Sequence, residues 1–228
     1  MMRTTAIAAC LALLLTGCSG GTGTTPLYTQ IGGAVRATIA ARKAGRAPRA
    51  EVTRAQLDTL TDPFLEVTVE RRDILAYLFI STIRRDDSPG EIVQWRSDDD
   101  ATITMRNGVL IATRGLGGGV VSASARVEGD RPGPASGGAR QLDIRAGDLD
   151  IRHVEFLCDL DDLGPERVVI VERAQATRHL RETCMAAGGG RVVNDYWIDS
   201  GGSDVVWQSR QWAGPEIGYI RTRRLTTG

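Results

Sequence analysis

The chain has no surplus charge: 28 basic residues balance 28 acidic ones. It therefore has no global field to gather nucleic acid or to steer an anionic substrate from a distance. Lysine is nearly missing, since Lys43 stands alone and arginine supplies the other basic side chains. Histidine is as sparse, with only His153 and His179. That scarcity leaves few imidazoles for a metal centre or for acid–base chemistry, and the reading includes no cofactor and no metal. Long apolar runs are missing too. The N-terminal one starts near Ala6 and lasts about ten residues, far short of the roughly 20 that span a bilayer. Glycine, in contrast, is abundant at 27 residues, and the turn-rich character this implies suits an all-β chain better than a bundle.

The N-terminus carries an address. A positive start, Met1-Met2-Arg3, precedes the apolar stretch, and Leu15-Thr16-Gly17-Cys18 closes it. That order is a secretory signal. Its last four residues resemble the lipobox of bacterial lipoproteins, in which the cysteine is acylated and becomes the first residue of the mature chain. A plain cleaved signal favours an A-x-A-like site, and none fits as well here. The expected organisation is a signal peptide over 1–17, lipidated Cys18 with a flexible Ser/Gly/Thr tether over 18–26, and a single mainly-β periplasmic domain over 27–228. Cys10 leaves with the signal. The remaining cysteines, Cys158 and Cys184, are an even pair in an oxidising compartment and read as a disulfide in preference to a metal site or a catalytic thiol. Closing about 26 residues contributes roughly 3–4 kcal/mol on the chain-entropy model.

Near-helical spacing of Ile31, Val35 and Ile39 predicts a helix over Leu27 to Ala44, weakened by Gly32-Gly33. A second short helix starts at Thr53, where Thr53 and Gln56 match a capping box. Thr61-Asp62-Pro63 ends it. The period then changes. Phe64 to Glu70 alternates, Ile74 to Ile83 is apolar on both faces, and Ile92 to Arg96 is strand-like. Asn107-Gly108 between Ala101–Arg106 and Val109–Thr113 predicts a type I′ hairpin. Its register pairs Met105 with Leu110 and Ile103 with Ala112. Gly115 to Gly119 and Gly129 to Gly138 read as loops. Further strands follow over Ile151–Leu160, Arg167–Glu172, Thr177–Met185, Arg191–Ser200, Val205–Trp212 and Ile217–Leu225, with a hairpin at Gly201-Gly202-Ser203. In the first of these, Cys158 shares an inward face with Val154, Phe156 and Leu160. The expected fold is mainly β, with antiparallel sheets forming a sandwich or partly open barrel and one or two helices near the N-terminus.

Chemistry is thinly signposted. The run Arg114 to Gly119 lacks the βαβ context of a dinucleotide loop and reads as a turn. Asp98-Asp99-Asp100 has no alternating oxygen ligands behind it, so a solvated turn is the better reading, and Asp159, Asp161 and Asp162 are read the same way. His153 and His179 are the acid–base candidates, yet no nucleophile elbow or zinc-hydrolase helix accompanies them. The tail is rich in aromatics. Trp197, Trp207, Trp212 and Tyr219, with Arg210, are candidates for a glycan-facing or partner-facing surface, although such side chains are more often core.

The tail also carries a resemblance. Cys158-Asp159-Leu160, Glu182-Thr183-Cys184, Asn194-Asp195-Tyr196-Trp197 and Trp207-Gln208-Ser209-Arg210-Gln211-Trp212, with Gly214-Pro215 and Gly218-Tyr219, resemble the YjbF/GfcB family of group 4 capsule polysaccharide lipoproteins. The segments Asn107 to Leu110 and Thr113 to Gly117 resemble it as well. The resemblance implies a YmcC-like β domain anchored in the outer membrane by acylated Cys18 and facing the periplasm. It implies a non-enzymatic accessory in exopolysaccharide or capsule production or export. Its partners would be an outer-membrane β-barrel and periplasmic proteins of the secretion system, with polysaccharide itself a further candidate and nucleic acid excluded. It supplies no catalytic residues. A periplasmic glycan-active enzyme and a passive glycan-binding module are the competing readings.

Overall fold

The computed structural model describes residues 52–146 and 150–227. The expected helix over Leu27 to Ala44, the signal and Cys18 lie outside the described residues. Among them no helix is long and apolar enough to cross a membrane. One α-helical turn is present, α1 (Arg54–Leu57). It starts where the capping box places it: the Gln56 N–H donates to the Thr53 hydroxyl at 3.3 Å, and the Thr53 N–H donates to Gln56 Oε1 at 2.9 Å. Each bond satisfies a first-turn donor that has no partner within the helix.

A 3-10 turn covers Glu70–Arg72, and twelve strands follow the chain: β1 (Phe64–Val69), β2 (Ile74–Arg84), β3 (Ile92–Arg96), β4 (Thr102–Arg106), β5 (Val109–Arg114), β6 (Gly119–Ala123), β7 (Gly138–Ala146), β8 (Asp150–Ile170), β9 (Arg173–Ala186), β10 (Arg191–Asp199), β11 (Val206–Trp212) and β12 (Tyr219–Arg224). All twelve join one antiparallel sheet in the order β5-β4-β3-β2-β1-β12-β11-β10-β9-β8-β7-β6. The sandwich alternative is therefore set aside: there is a single sheet, and it curls. Its two edges, β5 and β6, are sequence neighbours that run alongside each other. The Thr113 hydroxyl of β5 donates to the Val120 carbonyl of β6 at 3.4 Å. Near-closure protects the edge strands that an open sheet leaves exposed. The seam needs glycine. Gly119 has φ +108°, and a Cβ there would collide with Thr113 Oγ1 and Ile217 Cδ1.

Two expectations about β-structure need correction. The hairpin turns at Asn107 (φ 46°) and Gly108 (φ 84°), as expected, and Met105 faces Leu110. A bulge beside Met105 then shifts the register, so Ile103 faces Thr113 and Ala112 faces Thr104. The strands expected over Ile151–Leu160 and Arg167–Glu172 are one continuous strand, β8. It stays paired with β9 through a bulge at Asp162/Gly164 and turns at Val171-Glu172. β7 stops pairing with β8 at Cys158, and β10 stops pairing with β9 at Thr177. The end of the β8–β9 hairpin therefore projects as an arm.

Alternation along the strands makes two cores. Inward positions Leu65, Val67, Val69, Trp95, Ile103, Leu142, Phe156 and Ile220 fill the barrel. On the outside, Leu57, Phe64 and Leu225 pack with Val168 and Ile170 of the arm. Fully burying such a side chain contributes about 1.5–3 kcal/mol. Covered on both faces, β1 is buried along its whole length. Cys158 and Cys184 face each other in register and form a disulfide at the base of the arm, with Cα atoms 3.9 Å apart.

Candidate functional site

The barrel has a mouth, at the end where β1 begins and β12 ends. A cavity of about 430 Å³ opens there. Its wall is apolar at Leu65, Ile80, Val93, Trp95, Met105 and Val206. These are largely the inward positions of their strands, so the strand period of two sets the wall. Asn107 fixes the rim: its side-chain amide donates to the Gly129 and Arg131 carbonyls at 2.9 and 2.8 Å, which pins the β6–β7 loop over the hairpin tip.

β12 sends three successive inward residues along the lumen: Ile220 into the core, then Thr222 and Arg224 onto the cavity wall. The Arg224 guanidinium lies 4.5 Å from the centre of the Trp95 ring, a cation–π stack. Its Nε donates to the Thr226 carbonyl at 2.8 Å. Among the described residues no carboxylate pairs with it, and burial alone pushes it down to about 10, still cationic at neutral pH. Arg85, also on the wall, differs. It is shared by Glu91 and Asp130 at the rim.

A polar network runs inward from Thr222. Its hydroxyl meets that of Ser209 at 2.7 Å, and Ser209 Oγ accepts from Gln211 Nε2 at 2.9 Å. Gln211 crosses the lumen: Nε2 donates to the Gly108 carbonyl at 2.8 Å, and Oε1 accepts from the Leu110 N–H at 2.8 Å. The Tyr196 hydroxyl donates to the same Oε1 at 3.1 Å. Beyond it lies a buried ion pair, Arg140 Nη1 to Glu182 Oε2 at 2.6 Å. That one oxygen also takes Asn194 Nδ2 at 2.8 Å and faces Tyr196 Oη at 3.3 Å. Burial, with the Glu182 carboxylate adding to it, pushes the Tyr196 hydroxyl well above the ordinary tyrosine value. A phenol so held is a structural donor and a poor nucleophile.

The expected acid–base residues are committed to neighbours. His179 is buried with Nδ1 2.7 Å from Glu166 and Nε2 2.8 Å from Asp195, and it stacks on Trp197 with ring centres 4.4 Å apart. Neither ring nitrogen is left for a substrate. His153 is exposed, 2.9 Å from Asp143, whose hydrogen bond raises the imidazole above its ordinary value. Of the acidic run, Asp99 accepts from Ser97 Oγ and Asp100 from Arg96. Among the described residues one group has metal-ligand spacing, Cys158, Glu182 and Cys184. Its sulfurs are joined in the disulfide and its carboxylate belongs to Arg140.

The aromatic candidates do not form one row. Trp197 and Trp207 belong to the outer cluster under the arm, and Trp207 Nε1 donates to Asp199 at 2.8 Å. Trp212 packs edge-on against Phe156, 5.8 Å between centres, beside the inner core. Arg210 lies 3.6 Å over the Tyr219 ring and forks onto Glu70 at 2.8–3.0 Å. All five are half-buried. Nothing in the local sequence marks Trp95, Arg224 and Arg140: arginines on strands normally face water, and Trp95 stands outside the aromatic-rich tail. A signal was present: Glu182, Asn194, Tyr196, Ser209 and Gln211 stand in the segments that carry the family resemblance, and they converge in one network.

A family model described as "Group 4 capsule polysaccharide lipoprotein gfcB, YjbF" matches residues 33–225. The chain belongs to this family. Its fold is also similar to that of a solved structure, the hypothetical lipoprotein YmcC from Escherichia coli K12. The two superpose with a TM-score of 0.64 at 18% identity, covering 85% of this chain and 96% of YmcC. No curated protein matches the sequence. Membership makes the chain a capsule-related lipoprotein, and the YmcC comparison supplies its architecture.

Proposed function

We propose that the protein is an outer-membrane lipoprotein, anchored through acylated Cys18 with its barrel in the periplasm, and a non-enzymatic accessory in the production or export of a capsule or exopolysaccharide. The observation that carries this reading is the family match, which spans the whole described barrel. The titratable groups support the non-enzymatic part: Glu182 and Tyr196 in the lumen, and His179 on the outer face, are held by neighbouring side chains. An acyl chain contributes about 0.8 kcal/mol per buried CH₂, so a multiply acylated cysteine keeps the domain on its membrane. The partners are an outer-membrane β-barrel and periplasmic proteins of a polysaccharide secretion system. Crosslinking in intact cells, followed by identification of the bound proteins, tests this. A barrel or polysaccharide exporter among them supports the placement. Recovery of inner-membrane proteins alone, with the chain in the inner-membrane fraction, overturns it.

A further inference from the structure

We propose that the cavity at the barrel mouth binds a carboxylate-bearing sugar unit, with Arg224 as its anion contact. The inference rests on the polysaccharide role above and names the part of the polymer the cavity takes.

Arg224 is the starting point. A half-buried guanidinium without a carboxylate partner is a costly arrangement for folding alone. Stacking on Trp95 holds its plane, and the Thr226 carbonyl takes Nε. Among the described residues Nη1 and Nη2 have no hydrogen-bond partner, which leaves donors that a carboxylate can take as a pair. The cavity is matched in size and surface. Its volume of about 430 Å³ lies in the range of roughly 300–1,000 Å³ typical of small-molecule sites. Ile80, Val93 and Val206 offer aliphatic surface to the C–H face of a sugar ring, and Thr227 adds a hydroxyl.

The rim narrows the choice. Arg85 pairs with both Glu91 and Asp130, which leaves that trio one net negative charge, and Asp204 stands exposed at the opening. The depth of the site therefore favours one anion, and the rim discourages a second one next to it. That pattern fits an acidic residue flanked by neutral sugars better than an unbroken polyanion.

The test uses the mature full chain in detergent and two matched disaccharides: cellobiouronic acid, a glucuronosyl-glucose, and cellobiose, its neutral counterpart. Calorimetry at low salt should show the acid binding at least about tenfold more tightly, a factor that corresponds to roughly 1.4 kcal/mol. Arg224→Gln should abolish the difference and Arg224→Lys should keep part of it. Near-UV circular dichroism checks that both variants are folded. Should Arg224→Gln not fold, chemical-shift mapping on the unaltered protein decides, with the acid expected to move the Trp95 indole and Arg224 Nε signals. Equal binding of the two sugars, no binding of the acid, or acid-induced shifts confined to another surface would each overturn the proposal. Loss of surface polysaccharide on gene deletion, together with any of those outcomes, removes this site and leaves the accessory role standing.

Discussion

Glu182→Gln is the sharpest perturbation of the lumen. The substitution keeps the shape and removes one charge. Arg140 and Glu182 are 6% and 5% exposed, so water cannot replace the lost carboxylate. Three groups lie around Glu182 Oε2 within 2.6–3.3 Å: Arg140, Asn194 and Tyr196. An amide oxygen retains part of this bonding but none of the charge. Breaking a buried pair on one side costs about 3–5 kcal/mol, and the retained hydrogen bonds place this case near the lower end, about 3 kcal/mol. For a domain of this size that lowers Tm by roughly 6–12 °C. Urea titration with a folding probe reads the change directly. The loss should be nearly independent of salt, because screening acts on exposed charges. Combining Glu182→Gln with Arg140→Met should cost at least about 1.5 kcal/mol less than the sum of the single changes. A loss below about 1 kcal/mol for Glu182→Gln, or strict additivity, would refute the view that this pair organises the lumen.

Cys184→Ser opens a 26-residue loop and should lower the stability of the oxidised protein by about 3.5 kcal/mol. Hydrogen exchange should speed up first in the arm, around Val168 and Ile170, and unchanged exchange there would count against the clamp. Gly119→Ala should cost about 2–4 kcal/mol through overpacking and its positive φ, with the β5 and β6 amides losing protection in hydrogen exchange. Asp86 accepts a fork from Arg106 at 2.6 and 2.9 Å, and the Ser88 N–H adds a further bond. Those bonds, Arg106 first, hold its carboxyl at about 2, below the unfolded value of about 3.9. Its stabilisation is therefore complete above that unfolded value and is lost as pH falls through about 2. Carbon-detected NMR should place the Asp86 midpoint there, and a midpoint near 4 would contradict the pairing.

Local chemistry made some of this fold readable in advance. Asn107-Gly108 can turn at positive φ, and it does. Thr53 and Gln56 can cap each other, and they do. The export signal made a Cys158–Cys184 bridge the expected state, and inward alternation placed Cys158 in the core. The arm was obscured for two reasons. Gly164-Pro165 looks like a break, yet pairing with β9 carries β8 through it on a bulge. Val171 and Glu172, residues that rarely take positive φ, make the turn. Closure left no local trace either, because curling one sheet instead of packing two depends on twist summed over twelve strands. The mouth was hidden in the same way. Trp95 and Arg224 meet because the sheet curls, bringing β3 and β12 together although β2 and β1 lie between them, a proximity that no window of sequence contains.

The proposed role of the protein is service to polysaccharide production or export, without chemistry on the polymer. Deleting its gene in a strain with otherwise intact secretion genes, and measuring surface polysaccharide beside its intracellular precursors, tests that role. Surface polymer should be lost with precursors still made, and should be restored by the unaltered gene and not by Cys18→Ser. Unchanged surface polysaccharide would contradict it.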